Sequence, residues 1–207
     1  MKSVENTFLA SLLAGAAISI GAAVNLACDN RYVGAVLFSI GLLCVCCFKW
    51  DLFTGKVPYA RTAAEWSRLP IVWGGNVLGA FLMATLILDA KFSAGTFDRA
   101  IKLWTGKLNT GFAEIFMSAV CCNVLIYIAV EGYKTITDHV GKYLFVVLAV
   151  SVFVLCGFDH CIANIAYATI AKCPAVYCLP AIITVTAGNT LGGLLAASLH
   201  NMVKELG

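Results

Sequence analysis

Apolar residues in this chain gather in long tracts separated by short polar stretches. Six tracts stand out, at about 8–28, 32–48, 71–88, 112–130, 143–171 and 177–199. A bilayer core takes roughly 20 apolar residues per helix, so each tract predicts a membrane-spanning helix. The polar stretches are DNRY at 29–32, YARTAAEWSRLP at 59–70, DAKFSAGTFDRAIKLWTGKLNT at 89–110 and EGYKTITDHVGKY at 131–143. The pattern predicts a single all-α transmembrane domain over 1–207.

Two tracts are interrupted by charge. The second ends in KWDLFTGK (49–56), and the fifth contains CGFDHCIAN (156–164). Each interruption is followed by a tract carrying a GNxxG pattern, GNVLGA at 75–80 and GNTLGG at 188–193. The order helix, broken helix, GNxxG helix is therefore stated twice, over about 1–90 and about 110–207. Three spans per copy is an odd number, which forces the copies into opposite orientations. The expectation is an inverted 3+3 repeat of six helices, with helices 2 and 5 broken and a transport site near the midplane.

The residues around the repeat have structural roles to fill. Gly75, Gly79, Gly188, Gly192 and Gly193 stand at small-xxx-small spacing, which lets helices approach closely. Asn76 and Asn189 are expected to bond the backbone freed at the breaks, since polar backbone at membrane depth must find a partner.

Composition agrees with the tracts. The chain is 61% hydrophobic and 12% charged, against about 45–50% and about 25% for soluble domains. A net charge of +3 without a basic cluster excludes a nucleic-acid partner. The ten cysteines show no zinc spacing and read as apolar packing; no metal or cofactor is expected. A basic n-region beyond Lys2 is missing, so no signal peptide is expected. Six spans put both termini on one side, taken as the cytoplasmic face of the cell membrane. Lysine and arginine divide almost evenly, from Lys2 and Lys56 on that side to Lys91 and Lys107 on the other. The positive-inside rule therefore barely discriminates.

The breaks also carry the chemistry. Half-helix N-termini offer unsatisfied N–H donors and partial positive charge, which suit anions. Near them lie a neutral donor, Thr54, and an imidazole, His160, whose ordinary pKa of roughly 6.5 suits it to proton exchange. Phe38 and Leu42, Leu52 and Phe53, and Phe153 surround them with apolar bulk, which would strip water from a passing solute. Asp159 is expected to orient loop backbone by accepting N–H bonds. Lys107 and Glu114, seven residues apart, read either as an interfacial anchor with its counter-charge or as a lysine that draws anions in.

The set DLFTG (51–55), GGNVLGA (74–80), Lys107 followed by FAEIF, CCN (121–123), GFDHCIAN (157–164) and GNTLGG resembles the formate/nitrite transporter family along the whole chain. The resemblance implies a homopentamer of six-helix protomers with an aquaporin-like fold, each protomer with its own pore. It implies that Thr54 and His160 are the central pair, and that Phe38, Leu42, Leu52 and Phe153 form the constrictions. Asn123 and Ile126 would line the pore and Lys107 would attract anions, with Asn164 in a supporting role. Asp159 stands where the common motif has Glu, and Ile126 where Val is frequent. The hydrophilic N-terminal extension common in the family is nearly absent, so gating by it is not carried over.

The mechanism expected is entrance of a small monovalent anion past one constriction, a central proton uptake from His160 or water, and exit as the neutral acid. Formate is favoured, with nitrite, hydrosulfide and lactate as alternatives. An aquaporin-like neutral-solute channel competes, although no NPA pair is present. A membrane enzyme using Cys156 or Cys161 with His160 competes less well.

Overall fold

The computed structural model describes residues 3–90 and 94–206, so Lys2 and Lys91 lie outside the described residues. Every regular element among the described residues is helical. Ser3 opens α1 (Val4–Ala27), its hydroxyl accepting the Asn6 N–H. Asn30 opens α2 (Arg31–Phe38) in the same way, accepting from Tyr32 and Val33. Ser39 alone separates α2 from α3 (Ile40–Phe48), and the two form one apolar rod.

The rod stops where Lys49 turns left-handed, at φ 55°. After Trp50, Asp51 and Leu52 comes the one-turn α4 (Phe53–Lys56), then a 3-10 turn at Val57–Tyr59 that accommodates Pro58. A capping box between Thr62 and Glu65 opens α5 (Ala63–Asp89). The chain continues through α6 (Ala94–Leu108), α7 (Phe112–Thr135), α8 (His139–Leu155), α9 (Cys161–Ile170) and α10 (Ala175–Leu206).

Among the described residues, five segments are long and apolar enough to cross a membrane: α1, the α2–α3 rod, α5, α7 and α10. The tract over 143–171 instead gives two shorter helices, α8 and α9. It is cut where Gly157 takes φ +72° and residues 158–160 leave the helix.

α6 lies within a stretch that reads from sequence as a polar connection. Thr96, Ala100 and Trp104 recur every fourth residue and are buried, giving a narrow stripe that packs on α9 and α1. One large apolar side chain in that stripe is too little for hydropathy to register.

α1 lies along α5, and α7 along α10. The GNxxG glycines make those approaches possible. A methyl group at Gly79 would strike the Leu12 carbonyl, and one at Gly192 the Val120 carbonyl.

Candidate functional site

Each broken segment is tied down by one buried asparagine. Asn76, in α5, accepts the Phe53 N–H at 2.7 Å and donates to the carbonyls of Ser11 (2.7 Å) and Asp51 (2.9 Å). Asn189, in α10, accepts the Cys161 N–H at 2.9 Å and donates to the carbonyls of Ala119 and Asp159, both at 2.8 Å. The partners correspond position by position: 11 with 119, 51 with 159 and 53 with 161. Each amide thus satisfies an N–H and a carbonyl that its break leaves without a helical partner.

The two breaks meet in one hydrogen bond. Thr54, fully buried in α4, places Oγ1 3.0 Å from His160 Nε2. His160 is the N-cap of α9, and its Nδ1 accepts the Ala163 N–H at 3.3 Å. An imidazole nitrogen that accepts carries no proton, so the ring proton sits on Nε2 and is donated to Thr54. The Thr54 hydroxyl keeps its own proton to offer elsewhere.

Apolar rings stand against this pair. Phe153 stacks on the imidazole at 6.1 Å, and Phe38 meets Phe153 edge-on at 5.6 Å. Phe38, Phe153 and His160 border a cavity of about 50 Å³ that Lys107 and Asn164 also border. A separate cavity of about 370 Å³ is bordered by Leu52, Gly55, Lys49, Lys56 and Lys134. Leu42, Phe53 and Ile126 are buried but border neither of these two cavities.

The charged residues behave differently from the expectation. Among the described residues, the Asp159 carboxylate accepts no backbone N–H. It takes Lys107 Nζ and Asn164 Nδ2 (2.9 Å) on one oxygen and Ser118 Oγ (2.7 Å) on the other. A carboxylate only 7% exposed needs a paired charge more than a loop needs an acceptor. Lys107 and Glu114 do not share a helix, because residues 109–111 separate α6 from α7. Glu114 stays exposed in the first turn of α7, while Lys107 turns to Asp159. At the first break the matching carboxylate, Asp51, pairs with Lys56 at 2.7 Å.

Asn123 is buried and donates to the Asn189 main-chain carbonyl at 2.6 Å, in space that Gly193 leaves open. Ser118 was not foreseen, nor was the Asn25–Tyr167 bond beside the smaller cavity. Neither belongs to a motif, and only tertiary packing brings them to the site. Among the described residues, no group of three or more His, Cys, Asp or Glu could hold a metal.

The sequence profile of the formate/nitrite transporters matches residues 1–203. The chain belongs to the formate/nitrite transporter family. With its five long apolar helices it is a multi-pass membrane protein, from a family of transporters rather than enzymes. "Uncharacterized transporter YrhG" of Bacillus subtilis strain 168 is 26% identical over 192 residues, 84% of this chain and 67% of its own. The formate-nitrite transporter of Plasmodium ovale is 30% identical over 169 residues, covering 66% of this chain. The formate channel FocA of Escherichia coli K12 is 31% identical over 154 residues, covering 65%. The chain spans about half the length of these last two relatives, 52% and 51%.

Solved structures give the same fold. A pentameric formate channel with formate bound superposes with a TM-score of 0.85 at 23% identity, over 99% of this chain and 98% of that one. An ion channel of the same family superposes at 0.83 and 20% identity, over 97% and 89%.

Proposed function

We propose that this protein is a pore for small monovalent anions, formate foremost, that assembles as a homopentamer in the cell membrane with both termini cytoplasmic. In this reading, residues 1–207 form one channel domain. Its two halves, about 1–90 and about 110–207, are an inverted repeat of three spans each, with the second and fifth spans broken. The observation that carries it is the Thr54–His160 bond, which joins the two breaks at a buried point; His160 borders one cavity, and Gly55, next to Thr54, borders the other. The matching bonds of Asn76 and Asn189 support the repeat.

The chemistry follows from the tautomer. His160 donates through Nε2 to Thr54, so the hydroxyl proton of Thr54 is free to bind an anion. Phe38 and Phe153 on one side, and Leu52 with Leu42 and Phe53 on the other, make passage of a bare charge costly. Asn123 and Ile126 are assigned to the pore wall on the family resemblance, and both lie buried without bordering either cavity. Lys107 helps draw the anion in, even though Asp159 shares its charge. A protonated acid crosses such walls more readily than its anion. Taking the proton from the imidazole would require Nδ1 to pick one up and give up the Ala163 cap. Water in the cavity is the simpler source, with His160 positioning Thr54.

Flux of formate, nitrite, hydrosulfide and lactate into proteoliposomes, followed between about pH 5 and 8, tests this. Flux should rise as pH falls, because protons are then more available and a larger, though still minor, fraction of the permeant is the neutral acid. His160→Ala and Thr54→Ala should each lower formate flux by roughly tenfold or more, the scale of one lost hydrogen bond to a charged group. Wild-type flux and pH dependence in His160→Ala would sink the central-pair mechanism. Glycerol flux without pH dependence would favour the neutral-solute reading.

A further inference from the structure

The cavity beside His160 is walled by more hydrogen-bond donors than packing requires. Asn25, at the end of α1, and Tyr167, in α9, border it together with Lys107 and Asn164. Asn25 Nδ2 donates to the Tyr167 hydroxyl at 3.1 Å. A phenol that accepts this bond still holds its own proton, and among the described residues no acceptor lies within bonding distance of it. Tyr167 is only 6% exposed, so that proton faces the cavity or nothing. Gly34 leaves room for the Asn25 amide, since a methyl there would come within 2.9 Å of Asn25 Oδ1.

The rest of the wall points the same way. Lys107 and Asn164 each give one hydrogen to Asp159 and retain others. Asp159 is already engaged by Lys107, Asn164 and Ser118, so no uncommitted carboxylate opposes an incoming anion. The space is about 50 Å³. A cavity needs about 10–15 Å³ of such space to hold one water, so this one takes a solute of about three or four heavy atoms.

We propose that Asn25 and Tyr167, with Lys107 and Asn164, form an anion subsite that selects hydrogen-bond-accepting oxyanions of formate or nitrite size. The inference rests on the anion conduction proposed above and adds a selectivity step to it. Fixed donors replace the hydration shell before the anion passes Phe38 and Phe153 toward Thr54. Hydrosulfide accepts hydrogen bonds poorly and gains little from these donors. Lactate is too large for the space.

Tyr167→Phe keeps the ring and removes only the hydroxyl. Uptake of formate and of hydrosulfide into proteoliposomes is measured against concentration for the wild type and Tyr167→Phe, with Asn25→Ser as a second variant. The half-saturating formate concentration should rise about tenfold, the scale of one lost charge-assisted hydrogen bond. Maximal formate flux should stay within about twofold, and hydrosulfide uptake should not move. Wild-type conduction with an unmoved formate half-saturation in both variants overturns the subsite alone. Equal changes for formate and hydrosulfide also overturn it, because they would report looser packing rather than a lost donor. No conduction of either anion by the wild type overturns the conduction reading and the subsite with it.

Discussion

At the first break, Asn76 holds the Phe53 N–H and the Asp51 carbonyl; at the second, Asn189 holds the Cys161 N–H and the Asp159 carbonyl. Between these matched points the side chains diverge. Position 52 is Leu where 160 is His, 54 is Thr where 162 is Ile, and 56 is Lys where 164 is Asn. A buried hydroxyl or imidazole standing alone would lack a partner. Supplying one from each break makes Thr54 and His160 partners of one another. Backbone satisfaction repeats the same bonds at the two breaks, whereas the Thr54–His160 bond requires their side chains to differ.

The largest effect should come from removing what the breaks share. Asn189→Ala leaves an N–H, a break carbonyl and a helix carbonyl without the amide, and Asn76→Ala does the same at the other break. Each unsatisfied buried group costs about 1–3 kcal/mol, so either variant should lose several kcal/mol. The expected outcome is little monodisperse protein on size exclusion in detergent and a collapsed melting temperature. A variant melting like the wild type would mean that the amides are not what holds the breaks.

Next comes the charge at each break. Lys107 is 17% exposed and Asp159 7%, whereas Lys56 is 47% exposed beside Asp51 at 4%. Breaking a buried pair costs about 3–5 kcal/mol, and an exposed one about 0–1. Asp159→Asn should therefore destabilise by about 2–4 kcal/mol, and adding Lys107→Gln should restore much of that loss. Removing Lys56 should cost far less. A double-mutant cycle on melting temperature reads both couplings; equal values at the two breaks would contradict the difference in exposure.

The same contrast separates what sequence could and could not reveal. Hydropathy exposed the tracts, and the recurrence of GNxxG after each charged interruption marked Asn76 and Asn189 as equivalent. Both signals are local and periodic. Asp159 was misread because two of its three partners arrive from α6 and α7, at 107 and 118, far away in sequence. α6 itself was not legible, so the seven-residue spacing of Lys107 and Glu114 gave no sign that a loop at 109–111 parts them. Histidine is also an unusual N-cap, Ser, Thr, Asp and Asn being preferred. Nothing in CGFDHCIAN signalled that Nδ1 would be committed to Ala163.

The smallest effect should come from making the first break resemble the second at its last position. Lys56→Asn puts there the residue that stands at 164, and a side-chain amide can donate to Asp51 as Asn164 does to Asp159. Stability should change by less than about 1 kcal/mol, because Lys56 is half-exposed. Lys56 also borders the 370 Å³ cavity with Lys49 and Lys134, and among the described residues no carboxylate borders it with them. Losing one of three positive charges should lower formate flux about two- to threefold at low ionic strength. The deficit should fade near 0.15 M salt, where the Debye length shrinks to about 8 Å. Lys56→Arg should keep wild-type flux at both ionic strengths. If Lys56→Asn conducts like the wild type at low salt, the lysine serves only to neutralise Asp51, and the first break contributes one functional side chain, Thr54.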